Sequence, residues 1–212
     1  MSETCGEKGN PNTISRRVFI QEVGTGVVTA STLGGGLIPS NETATQAAES
    51  PKILGPGLIP IVLKINGKTY ETPAEPRETL LEVLRNRLEI TGPKMICDSG
   101  TCGGCTVYVQ GKTVYSCMML AVEAQGKEIT TIEGLASGDQ LHPVQEAFVE
   151  ADAIQCGFCT PGFVMSMAAV FRQNPSASLD AVKTGIAGHI CRCGTYAQMY
   201  RAAELARVKM GG

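Results

Sequence analysis

From Ile61 to Thr72, in "IVLKINGKTYET", apolar and polar residues alternate on either side of Asn66-Gly67. A period of two around an Asn-Gly pair predicts a β-hairpin closed by a type I′ turn. The period then lengthens. In "ETLLEVLRNRLEI" (78–90), Leu80, Leu81, Leu84 and Leu88 recur at helical spacing. "TVYVQGKTVYSC" (106–117) returns to alternation and turns near Gln110-Gly111, and "KEITTIEG" (127–134) is a last strand. Hairpin, helix, hairpin and strand predict a β-grasp sheet packed against one helix, over residues 58–136. After Gly134 the pattern is helical throughout. "HPVQEAFVEADA" (142–153) carries Pro143 near its start, where a helix tolerates proline. "TPGFVMSMAAVFRQ" (160–173) offers Thr160 as N-cap and Pro161 at N1, and stops before Asn174-Pro175. "SLDAVKTGIAG" (178–188) runs from a Ser178 cap to Gly188, and "GTYAQMYRAAELARVK" (194–209) ends on basic residues that suit the helix dipole. These predict a four-helix bundle over 137–212, with Met165, Met167 and Phe171 in its core. The fold class expected is therefore α+β, a β-grasp domain followed by a helical bundle.

Residues 1–48 fit neither domain. "SRRVFI" (15–20) is followed by a mildly apolar stretch, "VGTGVVTASTLGGGLIP", and then by the polar "SNETATQAAES". Basic, then apolar, then small and polar is the order of a twin-arginine export leader, so the periplasm is the expected location. A polar tail holding two arginines by chance is the alternative. Cleavage is expected near Ala44 to Ala48, and Cys5 would leave with the leader. A Pro/Gly-rich linker (50–60) joins it to the first strand. No run is long and apolar enough to predict a stable membrane span.

Composition adds one fact of consequence. The net charge of -2, with 43% hydrophobic and 18% charged residues, gives no support to nucleic acid or an anionic membrane as partner. Nine cysteines in 212 residues are the unusual feature. Eight form two quartets, Cys97/Cys102/Cys105/Cys117 and Cys156/Cys159/Cys191/Cys193. The first reads C-x4-C-x2-C-x11-C within the glycine-rich "CDSGTCGGC". That is the plant-type ferredoxin spacing for a [2Fe–2S] cluster, and it fits zinc knuckles poorly. The second, C-x2-C then C-x-C, fits zinc and an iron–sulfur cluster equally by spacing alone. Disulfides in an oxidising compartment are a third reading. Cys156 and Cys159 fall before the second helix, Cys191 and Cys193 between the third and fourth, so the bundle topology is expected to bring both junctions to one end.

"CDSGTCGGCTV" with Cys117, then "QCGFCTPG" (155–162) and "ICRCGTY" (190–196), resemble in this order the iron–sulfur subunit of the molybdenum hydroxylases, the xanthine oxidase and aldehyde oxidoreductase family. The resemblance spans about residues 60–209. "CRCGTY" departs from the "CRCTGY" of many members. The leader resembles that of periplasmic aldehyde oxidoreductases.

The resemblance implies two [2Fe–2S] clusters held by the eight cysteines, one in each domain. It implies a large subunit carrying molybdenum on a pyranopterin cytosine dinucleotide, where water supplies the oxygen for substrate hydroxylation. The bundle cluster would lie proximal to the pterin, with Gln155 and Cys193 as candidate pterin contacts, and the other would be distal. Electrons would leave singly towards an FAD-binding subunit or a cytochrome c. Aldehydes are the expected substrates. A small subunit of an N-heterocycle hydroxylase and a free-standing exported two-cluster ferredoxin are the alternatives, as is a zinc- or disulfide-stabilised binding module. The sequence contains no Ser/His/Asp or Cys/His constellation of its own, so the chain is expected to conduct electrons and not to catalyse. His142 reads as a helix-start residue. His189 lacks the second histidine that a Rieske-type iron needs. Gly100, Gly103, Gly104 and Gly157 are candidates for close backbone approach, and Arg192 either tunes a cluster or is solvated.

Overall fold

The computed structural model describes residues 54–211. The leader, its twin arginines and Cys5 lie outside the described residues.

β1 (Ile59–Ile65) and β2 (Lys68–Ala74) form the first hairpin, in register from Ile59 opposite Ala74 to Ile65 opposite Lys68. Asn66 and Gly67 have φ of 51° and 76°, the two left-handed residues that a type I′ turn requires. Asn66 also ties the turn to the rest of the sheet. Its Nδ2 donates to Thr131 Oγ1 (2.9 Å), and its Oδ1 accepts from the Thr131 N–H (2.9 Å). β3 (Thr106–Val109) and β4 (Lys112–Tyr115) form the second hairpin, again with positive φ at Gln110 and Gly111. β5 (Glu128–Thr130) runs parallel to β1 and antiparallel to β3, completing the order β2-β1-β5-β3-β4. It is shorter than expected, because Ile132–Gly134 turn off as a 3-10 helix.

The helix crossing the sheet departs from a plain α-helix. α1 starts at Leu80–Glu82 under a Thr79/Glu82 capping box, then widens into a π-helical turn, Val83–Arg87. The Leu88 N–H reaches back to the Val83 carbonyl at 3.1 Å. Arg87 clasps Glu78 through two guanidinium nitrogens, and Arg85 donates to the carbonyls of Thr91 and Pro93. Leu80, Val83 and Leu84 pack with Ile61, Leu63, Ile65, Val107 and Ile129 in the sheet's core.

The second half contains four helices: α2 (Pro143–Glu150), α3 (Thr160–Gln173), α4 (Leu179–Gly185) and α5 (Tyr196–Lys209). They share one core that includes Phe148, Phe163, Met167, Phe171, Val182 and Met199. Ala202, Ala203 and Ala206 let α5 approach its neighbours closely. Phe171 is fully buried, so Phe171→Ala is expected to cost about 3–5 kcal/mol, measured by urea denaturation.

Three local expectations change. Cys159, in the αR region, takes the N-cap of α3 in place of Thr160, because the chain enters this helix directly from a cysteine of the second quartet. α4 ends at Gly185 and not Gly188: Gly185 sits where a Cβ would collide with Val170, and the chain turns there towards His189. Met165 is buried, yet it faces the sheet with Tyr108 and Ala169 while Met167 and Phe171 face the helical core. α3 therefore serves both halves. Tyr108 Oη donates to the Met165 carbonyl (2.5 Å), and the Arg172 guanidinium lies 4.4 Å from the Tyr108 ring centroid and donates to the Gly111 carbonyl. No helix among the described residues is long and apolar enough to cross a membrane.

Candidate metal centres

The first quartet is assembled by the loop between α1 and β3 together with the chain just after β4. The β3–β4 register sets Thr106 opposite Tyr115, so Cys105 meets Ser116 and lies beside Cys117, the next residue. Their Sγ atoms lie 3.4 Å apart. Ser116 fastens this junction by donating its hydroxyl (2.7 Å) and its N–H (3.3 Å) to the Cys105 carbonyl. Across the loop, the Cys102 N–H points at Cys97 Sγ at 3.4 Å. N–H groups govern Cys97: donation from Ser99, against burial and with help from Cys102 and Thr101, brings its thiol down to about 6. Burial acts oppositely on Cys105, pushing it up to about 12 beside Cys117. Two buried sulfurs this close cannot both ionise without a cation between them, which is what a bound metal supplies.

The second quartet lies where two helices begin. Cys159 caps α3, and Cys191 and Cys193 precede α5, near the positive ends of both dipoles. The thiols pair across the junction, Cys159 with Cys191 and Cys156 with Cys193. Burial pushes Cys159 up to about 12. Burial also raises Cys191, but the Thr195 hydroxyl at 3.1 Å and nearby N–H groups outweigh it and bring the thiol to about 7. The Cys191 N–H donates to Tyr196 Oη at 2.8 Å. Cys156 and Cys193 are exposed, as are Gln155 and Arg192. Exposed Ile154, Phe158 and Ile190 give this end an apolar character.

All eight cysteines among the described residues are free. Among the described residues no three His, Cys, Asp or Glu side chains close around a single ion. The thiols approach in pairs instead, and a [2Fe–2S] core takes its ligands two per iron. Paired sulfurs, one pair of each quartet buried or nearly so, N–H donors aimed at sulfur and unbridged thiols fit such a core in both quartets.

The remaining sequence candidates divide. His142 caps α2, its Nδ1 accepting from the Val144 N–H at 3.2 Å. Gly100, Gly103 and Gly157 have positive φ and Gly104 does not. Gly103 and, unforeseen from the sequence, Gly162 permit a close approach of backbone to backbone. A Cβ on Gly162 would strike the Gly103 carbonyl, so the first cysteine loop rests on the opening turn of α3. His189 lies in the same seam, with Nε2 at 3.0 Å from Thr106 Oγ1 and 2.9 Å from Ser166 Oγ, directed at hydroxyls and not at a thiol. One backbone bond joins the two quartets: the Ile190 N–H donates to the Cys102 carbonyl at 3.1 Å. Thr106, Ser166 and Gly162 escaped the sequence reading because only tertiary packing brings them together, although Gly162 falls inside the "QCGFCTPG" segment.

Comparison with known proteins agrees with this geometry. Residues 63–135 match the family model for a 2Fe-2S iron-sulfur cluster binding domain, and residues 131–204 match that for a [2Fe-2S] binding domain. The chain is 42% identical to the aldehyde oxidoreductase iron-sulfur-binding subunit PaoA of Escherichia coli K12, over 76% of this chain and 77% of that one. It is 36% identical to the nicotinate dehydrogenase small FeS subunit of Eubacterium barkeri, over 70% of this chain and 94% of that one. Among solved structures it resembles quinoline 2-oxidoreductase from Pseudomonas putida 86, with 38% identity and a TM-score of 0.66, over 71% of this chain and 97% of that one. The chain belongs to the [2Fe–2S]-binding small subunits of the molybdenum hydroxylases, in which it is the electron-transfer component of an oxidoreductase.

Proposed function

We propose that this chain relays single electrons from a molybdenum-binding large subunit through two [2Fe–2S] clusters, one held by Cys156, Cys159, Cys191 and Cys193 and the other by Cys97, Cys102, Cys105 and Cys117. When bound, each cluster supplies one-electron redox chemistry. The chain's own residues supply the rest. N–H donors at Ser99, Thr101 and Thr195 stabilise charge on sulfur, Ser116 fixes the Cys105/Cys117 pair, and the helix starts of α3 and α5 face the second quartet. The observation that carries the proposal is the link between paired quartets, where the Cys102 carbonyl accepts from the Ile190 N–H one residue before Cys191.

The four helices form the four-helix bundle of the second domain, with the boundary to the β-grasp domain near Ala136. Its cluster is the proximal one. The exposure of Cys156, Cys193 and Gln155 beside apolar Ile154, Phe158 and Ile190 supports this order, because a tunnelling contact to a pterin needs ligands at a docking face. The first cluster then passes electrons outward, to an FAD-binding subunit or a cytochrome c. The large subunit's molybdenum is carried on a pyranopterin cytosine dinucleotide. Its substrates are aldehydes, a choice supported by the likeness to PaoA. N-heterocycle hydroxylation is the second reading, favoured by the likeness to a nicotinate dehydrogenase and a quinoline oxidoreductase. Substrate-driven bleaching of the purified complex by an aldehyde or by an N-heterocycle separates them.

Iron and acid-labile sulfide analysis with EPR of the dithionite-reduced protein tests the relay. Two distinguishable signals are expected, and intact anaerobic protein without iron would sink it. Co-purification of a large subunit distinguishes this chain from a free-standing ferredoxin. Location in the periplasm rests on "SRRVFI". Changing Arg16 and Arg17 together to lysine is expected to hold the chain in the cytoplasm, read by cell fractionation. Unchanged export of that variant would remove the twin-arginine assignment.

A further inference from the structure

Building on the relay role proposed above, we propose that His189 is the positioning residue of the joint between the two clusters, holding the Ile190 N–H on the Cys102 carbonyl. The residue is buried in the seam between sheet and helices. Its ring packs 5.3 Å from the Phe163 ring and meets Tyr115 edge-on at 6.0 Å. Its Cδ2 edge fills the space that a side chain on Gly103 would need, so the imidazole presses against the loop between Cys102 and Cys105. Its own backbone leads through Ile190 into Cys191. One side chain therefore touches the first cysteine loop while its main chain belongs to the second.

Nε2 meets two hydroxyls. Thr106 Oγ1 gives its proton to the Gly103 carbonyl at 2.7 Å. At the 3.0 Å contact with His189, Thr106 Oγ1 then offers Nε2 an acceptor, while Ser166 Oγ at 2.9 Å can donate or accept. Nδ1 is buried and makes no hydrogen bond of good geometry. What the imidazole gains is its hold on Thr106 and Ser166, one in each half, and the His189 N–H adds a bond to the Ile186 carbonyl (3.0 Å). With ring and backbone both fastened, the next peptide is aimed at Cys102.

With clusters held by Cys156, Cys159, Cys191 and Cys193 and by Cys97, Cys102, Cys105 and Cys117, this joint would serve the passage of one electron from the former to the latter, one oxidised as the other is reduced, with no bond or proton moved. The hydrogen bond supplies a nearly continuous bonded route for it, and loosening that bond leaves a gap.

The test uses the cluster-loaded chain in complex with its large subunit, in His189→Ala, His189→Gln and Ser166→Ala forms. Hydrogen-exchange mass spectrometry follows the segment holding the Ile190 amide, and one-electron pulse reduction followed optically reads inter-cluster equilibration. His189→Ala and Ser166→Ala are expected to exchange faster at that segment and equilibrate more slowly, with iron content and both EPR signals retained. His189→Gln, whose amide N–H reaches the Nε2 position, is expected to recover both properties. A His189→Ala protein of lowered melting temperature with wild-type exchange and equilibration would overturn the proposal, as would a Gln variant no better than Ala. Should His189→Ala fail to fold, Ser166→Ala removes a hydroxyl held by Nε2, leaves the bond from Thr106 to the Gly103 carbonyl intact, and decides alone. Absence of iron from the wild-type complex would instead refute the relay, while exchange at Ile190 would still decide whether His189 fastens the joint.

Discussion

Cys193→Ser is expected to leave a folded chain with about half its iron, one of its two reduced EPR signals, and no electron delivery to the natural acceptor. The fold survives because Cys193 is exposed and belongs to neither core. The cluster does not, because a serine hydroxyl is far harder to ionise than a thiol, and the site needs thiolates. Cys156, the partner of Cys193, loses its pairing at the same stroke. If this cluster is proximal, substrate can still reduce the large subunit, but the electrons have no exit. Cys117→Ser provides the contrast: it strikes a buried pair, removes the other signal, and interrupts the relay after the first transfer. Turnover with the natural acceptor at the wild-type rate in Cys193→Ser would refute the relay order. Loss of both signals would show that the quartets do not assemble independently.

Hairpins, helices and cysteine spacing were legible because their causes are local. Asn66-Gly67 and Gln110-Gly111 specify their own turns, and the sheet follows from them. Ser178 and His142 cap the helices they precede. The departures have causes elsewhere in the chain. Cys159 displaces Thr160 as cap where two helix starts gather the second quartet, and the π-turn at Val83–Arg87 accompanies arginines held by Glu78, Thr91 and Pro93. Met165 could not be told from Met167 by composition, since facing the sheet or the helical core depends on how α3 is shared. The pairing of thiols within each quartet was likewise beyond spacing. Spacing says which residues can converge. The seam around His189, Thr106, Ser166 and Gly162 joins residues far apart in sequence and carries no local signature.

Gly162→Ala is expected to destabilise the protein although alanine is the better helix former. In an exposed helix interior the change would gain about 1 kcal/mol. Here the new methyl would meet the carbonyl of Gly103 and, at 3.1 Å, the Cα of Gly104, both backbone atoms that cannot swing aside. Either the cysteine loop lifts or α3 shifts, and overpacking of this kind costs about 1–3 kcal/mol. For a chain of this length the melting temperature should then fall by several degrees, at about 2–4 °C per kcal/mol. The consequence for function follows from what the loop holds. Lifting Gly103 moves Cys102 off the Ile190 N–H and opens the Cys97/Cys102 side of the first quartet, so that cluster's EPR signal should broaden or disappear before the other changes. The sign is the discriminating feature. A Gly162→Ala protein more stable than wild type, with both signals intact, would mean that helix propensity governs this position and that sheet and helices do not meet through backbone at Gly162.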